Sequence, residues 1–176
     1  MTNLDHHTLS NNEESQIDDT DQHKYVVFQI EQELYGTQLL SVREVVEELP
    51  IKPLPNTIQP FRGVCNLRGQ VVGVIDLAKL FNIPSTPPAR PLMLVFDAEK
   101  GALAAAVDGI KEVAVILPGD IDETSCVFKG TEKRFVKGIG KLRDRLVTLI
   151  DLKSALSQQQ LYEIGQSRIT IKEEAG

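Results

Sequence analysis

The sequence predicts an all-β fold of two pseudo-symmetric five-stranded barrels, with a few short helices and a helix at the C-terminus. Three observations carry that reading: one block of sequence recurs, the block is dominated by short β-branched runs, and turn residues separate the runs. With an offset of 75, GVCNLRGQVVGVIDLAKLF (63–81) falls without a gap on GIGKLRDRLVTLIDLKSAL (138–156). Gly63, Leu67, Arg68, Val72, Ile75, Asp76 and Leu77 meet identical residues at 138, 142, 143, 147, 150, 151 and 152. Upstream, an offset of 68 lays VREVV (42–46) on IKEVA (110–114) and Phe28 on Phe96. The seven extra residues fit in the longer connection between Val115 and Phe135.

The elements follow in order. YVVFQIE (25–31) and LYGTQL (34–39) are β-branched or aromatic runs split by a polar pair, which outlines a hairpin. VREVVEE reads as one short helical turn, because Val42, Val45 and Val46 lie at i, i+3 and i+4. GVCNL and QVVGVI form a second hairpin across Arg68-Gly69, where glycine supplies a positive φ. Asp76 then opens a short helix, DLAKLF, closed by Pro84. NIPSTPPARP is a proline-dense linker. In the second copy LMLVFDA (92–98) and ALAAAVDG (102–109) match the first hairpin, and Asp151 opens a longer helix, DLKSALSQQQLYEI. The organisation expected is an acidic disordered tail over 1–23 and one domain over 24–157. Its repeats span about 24–83 and 91–157, with strands shared where they meet; the end of the C-terminal helix and a tail follow over 158–176.

Charge is distributed unevenly. The net charge is −6, but residues 1–23 hold six acids (Asp5, Glu13, Glu14, Asp18, Asp19, Asp21) and no Lys or Arg, which leaves 19 acids against 19 bases in the body. A neutral body lacks the clustered cations of a nucleic-acid surface, and nine aromatic residues with no Trp give few stacking platforms. Apolar residues make up 41% of the chain, but no run approaches the roughly 20 residues of a membrane helix, so no membrane insertion is expected. The N-terminus has neither the basic nor the apolar region of a secretory signal, so a cytoplasmic location is expected.

Candidate chemistry is sparse. Cys65 and Cys126 are too far apart in sequence for a metal or redox motif, and His6, His7 and His23 all lie in the tail. No histidine follows residue 23, no G-x-S-x-G elbow occurs, and GIGKLR lacks the glycine and hydroxyl of a phosphate loop. No catalytic residue, metal or cofactor is expected. Asp76 and Asp151 start helices, where a carboxylate accepts orphan N–H groups, so they read as architecture. Arg68 is different. Val64, Asn66 and Arg68 share one strand face while Cys65 and Leu67 share the other, so Arg68 reaches outward from the hairpin tip, as Lys141 and Arg143 do in the second copy. Glu44 and Glu112 are equivalent by repeat, and each copy therefore offers one Glu and one Arg able to pair.

An F-x-I-x-x-x-x-Y-G hairpin, V-x-E-V, a proline-bounded I-K-P-L-P and F-R-G-V-x-N-L-R-G-x-V-V-x-V-I-D-L occur in that order. This order, from about Tyr25 to Leu156, resembles the CheW family of bacterial chemotaxis coupling proteins. The resemblance implies two SH3-like barrels around a shared core. It further implies an adaptor joining the cytoplasmic tip of a methyl-accepting chemoreceptor to the regulatory domain of the histidine kinase CheA, at receptor arrays on the inner face of the membrane. By motif it carries partner binding to Val42, Glu44, Gly63 and Arg68: Arg68 orients a surface paired with Glu44, Val42 gives apolar contact, and Gly63 allows close backbone approach. Two departures stand out, Gly73 where the family commonly has proline and Thr37-Gln38 where an apolar-acidic pair often follows Y-G. Two alternatives remain at this level: a coupling protein of a pilus or gliding motility pathway, and a twin-barrel peptide- or nucleic-acid-binding module.

Overall fold

The computed structural model describes residues 19–55, 59–86, 88, 90–98, 101–123 and 135–155. Residues 1–18, Cys126 and the helix expected beyond Ala155 lie outside them. The first copy supplies strands β1 (Lys24–Ile30), β2 (Glu33–Gln38), β3 (Glu44–Glu47), β4 (Phe61–Leu67) and β5 (Gln70–Asp76), followed by helix α1 (Leu77–Leu80). The second supplies β6 (Leu92–Ala98), β7 (Gly101–Val107), β8 (Gly109–Val115), β9 (Ile121–Asp122), β10 (Val136–Leu142), β11 (Arg145–Ile150) and α2 (Leu152–Ala155). The offsets hold strand by strand: β1 precedes β6 by 68 residues, and β4 precedes β10 by 75.

Two expectations are corrected. VREVV is not a helical turn. Glu44–Glu47 pairs antiparallel with β6, from Glu44 opposite Val95 to Glu47 opposite Leu92, and the β-branched pair Val45-Val46 suits that pleated edge better than a helix. The one helical turn there, a 3-10 turn, comes earlier, at Leu39–Ser41. The tail boundary also moves, because Asp19–His23 forms a 3-10 helix tied to the fold by Ile116 N–H donating to the His23 carbonyl at 2.9 Å.

The sheets do not follow the repeats. One has the order β8-β1-β2-β11-β10-β9 and the other β3-β6-β7-β5-β4. The first hairpin of each copy has therefore crossed into the other copy's sheet. Both crossings end in the same parallel seam, β2 beside β11 (Tyr35 opposite Thr148) and β7 beside β5 (Ala104 opposite Val74). The reason lies in β1 and β6, which are apolar on both faces. Val26, Phe28 and Ile30 face a central core, while Tyr25 and Val27 face the interior of the first sheet with Ile116, Val147 and Leu149. Leu94 and Phe96 meet Phe28 in the central core, and Met93 and Val95 face the interior of the second sheet with Val72 and Val74. A strand with two apolar faces needs a hydrophobic layer on each side.

Short helices close the strands onto the central core. Asp76 accepts the Lys79 N–H at 3.1 Å, and Asp151 accepts the Ser154 N–H at 2.9 Å and the Ser154 hydroxyl at 2.7 Å. Both aspartates cap, as their sequence position predicts. Burial alone would raise the Asp151 pKa; the Ser154 hydroxyl and amide and the Lys137 ammonium outweigh it and hold the carboxyl below the ordinary range.

Phe28→Ala should cost about 3–5 kcal/mol and roughly 10 °C of melting temperature. Amide exchange should accelerate in β4–β5 as well as β10–β11, and acceleration in one sheet alone would show that the sheets unfold independently. Asp151→Ala should cost about 1 kcal/mol at pH 7. A depressed folded pKa gives stability above the unfolded value of about 4, lost as pH falls through the folded one, so the gap between variant and parent in urea titrations should narrow below about pH 4.

Candidate partner-binding surface

Arg68 and Gly69 form the two-residue β4–β5 turn, both with positive φ (50° and 87°), the pairing that suits the twist of a tight hairpin. Asn66 fixes the turn by accepting the Gly69 N–H on its side-chain oxygen at 2.7 Å. A non-glycine residue in this conformation costs about 1 kcal/mol, and the same strain recurs at Arg143 (φ 54°). The arginine is thereby thrown clear of the sheet, with 72% of its side chain exposed.

Glu44 approaches from β3. Val46, on the same strand face, packs on the interior of this sheet, which places Glu44 at the end of that interior with its side chain 19% exposed. Arg68 lies 2.8 Å from one Glu44 oxygen, and the Arg43 Nε lies 3.8 Å from the other. Arg43 also donates to Gln70 at 3.1 Å and pairs with Asp97 at 3.4 Å. Residues of β3, the β4–β5 turn and β6 are thus bridged over one end of the sheet. The other sheet repeats the device: Arg143 lies 3.9 Å from Glu112, and Arg145 makes a close ion pair with the same carboxylate.

Apolar residues flank both bridges. Val71 is 69% exposed and its repeat equivalent Leu146 is 66% exposed, while Val45 and its equivalent Val113 also face outward. Chance exposure of a single Val or Leu means little, but the same two positions in both copies define a paired surface.

The four residues singled out from sequence do not form one cluster. Glu44 and Arg68 meet. Val42 is half-buried, extended after the 3-10 turn, and packs on the central core. Gly63 is buried five residues from Arg68 along the chain, at a bulge in β4 with φ 138°. Its close approach is to its own chain, since a Cβ there would stand 2.2 Å from the Lys52 carbonyl oxygen. Gly138, at the equivalent bulge, meets the Asp122 carbonyl in the same way, at 2.6 Å. Sequence spacing does not single out Arg43, Gln70, Asp97 or Arg145. Arg145 was within reach of the 75-residue offset, as the counterpart of Gln70; Asp97 was not, because it meets Arg43 only through the exchanged hairpin.

Among the described residues no group of three or more His, Cys, Asp and Glu could hold a metal ion, and no helix is long and apolar enough to cross a membrane. Cys65 is buried, and that burial, with the negative charge of Glu48, raises its thiol pKa, so it is a poor nucleophile.

A family model described as a CheW-like domain matches residues 24–160. The chain is 27% identical over 136 residues to the probable chemotaxis protein CheW of Rhizobium etli, covering 77% of this chain and 88% of that protein. It is 23% identical over 149 residues to the chemotaxis protein CheW of Treponema pallidum, covering 82% and 88%. The crystal structure of the scaffolding protein TtCheW from Thermoanaerobacter tengcongensis superposes with a TM-score of 0.71 at 30% identity, covering 78% of this chain and 94% of that one.

Gly63 and Arg68 should separate sharply on substitution. Gly63→Ala should cost about 2 kcal/mol or more, because a methyl group meets backbone that cannot swing aside. Arg68→Glu should cost no more than about 1 kcal/mol, the worth of an exposed pair. Equal losses in thermal melts would assign Arg68 to the fold.

Proposed function

The chain belongs to the CheW-like family of chemotaxis scaffold proteins, and from that premise we propose that it is a non-enzymatic adaptor coupling the cytoplasmic tip of a chemoreceptor to the regulatory domain of the histidine kinase CheA. It would act on the inner face of the membrane, within receptor arrays. The observation that carries this reading is the pair of equivalent surfaces, each an arginine–glutamate bridge over a sheet end beside outward-facing valine or leucine. An adaptor must hold two partners at once in a fixed relation, and one buried core contributed by both sheets supplies that rigidity.

The chemistry asked of the surface is recognition. Exposed valine and leucine give apolar area to a partner, and the arginines give direction, since a planar guanidinium pairs with a carboxylate only in a few orientations. The Glu44 carboxylate holds Arg68 in place beforehand, which lowers the entropy lost on association. Mutual charge between partners would mainly set the speed and selectivity of encounter, and desolvated apolar contact its strength.

Titration calorimetry against the isolated regulatory domain of a CheA kinase from the same cell should give micromolar binding. Arg68→Glu, run alongside, should weaken it at least tenfold. Retained binding by the variant would move Arg68 to the receptor-facing side, and no binding by the parent protein would overturn the coupling function while leaving the fold intact.

A further inference from the structure

The two bridged ends hold their tip arginines differently. At the first end Arg68 closes on Glu44 at 2.8 Å, while Arg43 stands 3.8 Å from the same carboxylate and also reaches Asp97 and Gln70. At the second end the roles are exchanged. Arg145 makes the close pair with Glu112, and the tip arginine, Arg143, is left 3.9 Å away with 75% of its side chain exposed. The first tip arginine is within hydrogen-bond distance of its glutamate and the second is not. The Glu112 contact is the only ion pair that Arg143 makes among the described residues.

One position accounts for the exchange. The 75-residue offset places Arg145 where the first copy has Gln70, so β11 opens on a cation where β5 opens on a neutral amide. Gln70 adds no charge beside Glu44, and the tip arginine supplies it. Arg145 neutralises Glu112 from the sheet itself and leaves the tip arginine unclaimed. No general field surrounds this end. Asp144 adjoins Arg143, the β9–β10 register carries Asp122 and Asp120 alongside Ile139 and Lys141, and the β2–β11 register brings Glu33 beside Leu146. These acids offset the neighbouring cations, so what the end presents is one aimed guanidinium on the hairpin that also exposes Leu146. Its left-handed φ of 54° is costly for a non-glycine residue, and the loose Glu112 contact does little to offset that cost.

We propose that Arg143 is a further partner-binding residue, which Arg145 sets free by neutralising Glu112, and that it takes a carboxylate on the regulatory domain of the kinase. The proposal rests on the adaptor reading and deepens it. The second end repeats the backbone of the first, against which the same domain is tested above, and it carries the equivalent exposed apolar residues, Val113 and Leu146. Arg68 offers only the donors that Glu44 leaves over, already oriented. Arg143 offers its whole planar edge and pairs a carboxylate in two places without first breaking a close internal pair. The second end therefore suits a surface with an acidic residue set among apolar ones. Two ends alike in backbone thereby accept different surfaces.

The test uses the full chain and has a partner-free arm, so that it can fail separately from the adaptor reading. In arginine side-chain spectra of the parent, rotation about the guanidinium Nε–Cζ bond should be fast at Arg143 and slowed at Arg68. In Arg145→Gln it should slow at Arg143 as well. Equal rates at the two tips of the parent, or no change at Arg143 in the variant, would overturn the proposal with no partner present. The second arm titrates the isolated regulatory domain of a CheA kinase from the same cell into parent and variants. Arg143→Gln should weaken binding about fivefold, the effect of losing an exposed charge pair. Arg145→Gln should weaken it too, and the double variant should bind no worse than Arg143→Gln alone. Parent-like binding by Arg143→Gln, or losses that add in the double variant, would refute the role given to Arg143. A loss seen only against a receptor tip fragment would refute the assignment to the kinase. A parent that does not bind the kinase domain would remove the adaptor reading and, with it, the partner named here.

Discussion

The architecture depends on two strands that are buried on both faces. A strand normally turns one face to solvent and reads as alternating apolar and polar residues. KYVVFQI and LMLVFDA do not alternate; Val26 and Phe28 serve the central core while Tyr25 and Val27 serve a lateral one. Such a strand is satisfied only between two apolar layers, and a single small sheet has just one interior. Lending each hairpin to the other copy's sheet resolves this, because the borrowed strand then lines a sheet interior on one side and the common core on the other. The parallel seams, the placement of α1 and α2 on the central core, and the separation of the two charged ends all follow from that exchange.

Much of the fold was legible because repeats and turns leave local marks. The offsets of 68 and 75 bring four pairs of strands into register within a residue at either end, and Asp76 and Asp151 announce their helices. The exchange itself was hidden, since a hydrophobic strand carries no record of which neighbour it pairs with. VREVV misleads for a related reason: of its three valines at i, i+3 and i+4, Val45 and Val46 sit in a four-residue strand held by β6 while Val42 precedes it, and long-range pairing overrides the local pattern. The candidate surface was half legible. Glu44 and Arg68 are equivalent to Glu112 and Arg143 by repeat and do meet, whereas Asp97 joins them only through the borrowed hairpin. Gly63 and Val42 illustrate the opposite case, in which motif position alone does not distinguish a residue facing a partner from one facing its own chain.

The charged bridges also show how two similar ends acquire different characters at little structural cost. Strained arginines at φ 50° and 54° occupy the same turn position, and both reach a glutamate on an edge strand. What varies is the flanking set, Asn66 and Gln70 against Lys141 and Arg145, all on or beside the same pair of hairpin tips. Exposed positions of this kind change charge without disturbing the core.

The exchanged hairpins have a consequence for assembly. Either copy alone would present a borrowed strand with no host and a sheet lacking its middle, so the arrangement is that of a domain-swapped pair. Joined by a linker of about ten residues, the two copies meet at an effective concentration in the millimolar range, whatever the abundance of the protein in the cell. The one-to-one ratio of its two bridged ends is therefore set by covalent connection and is immune to dilution.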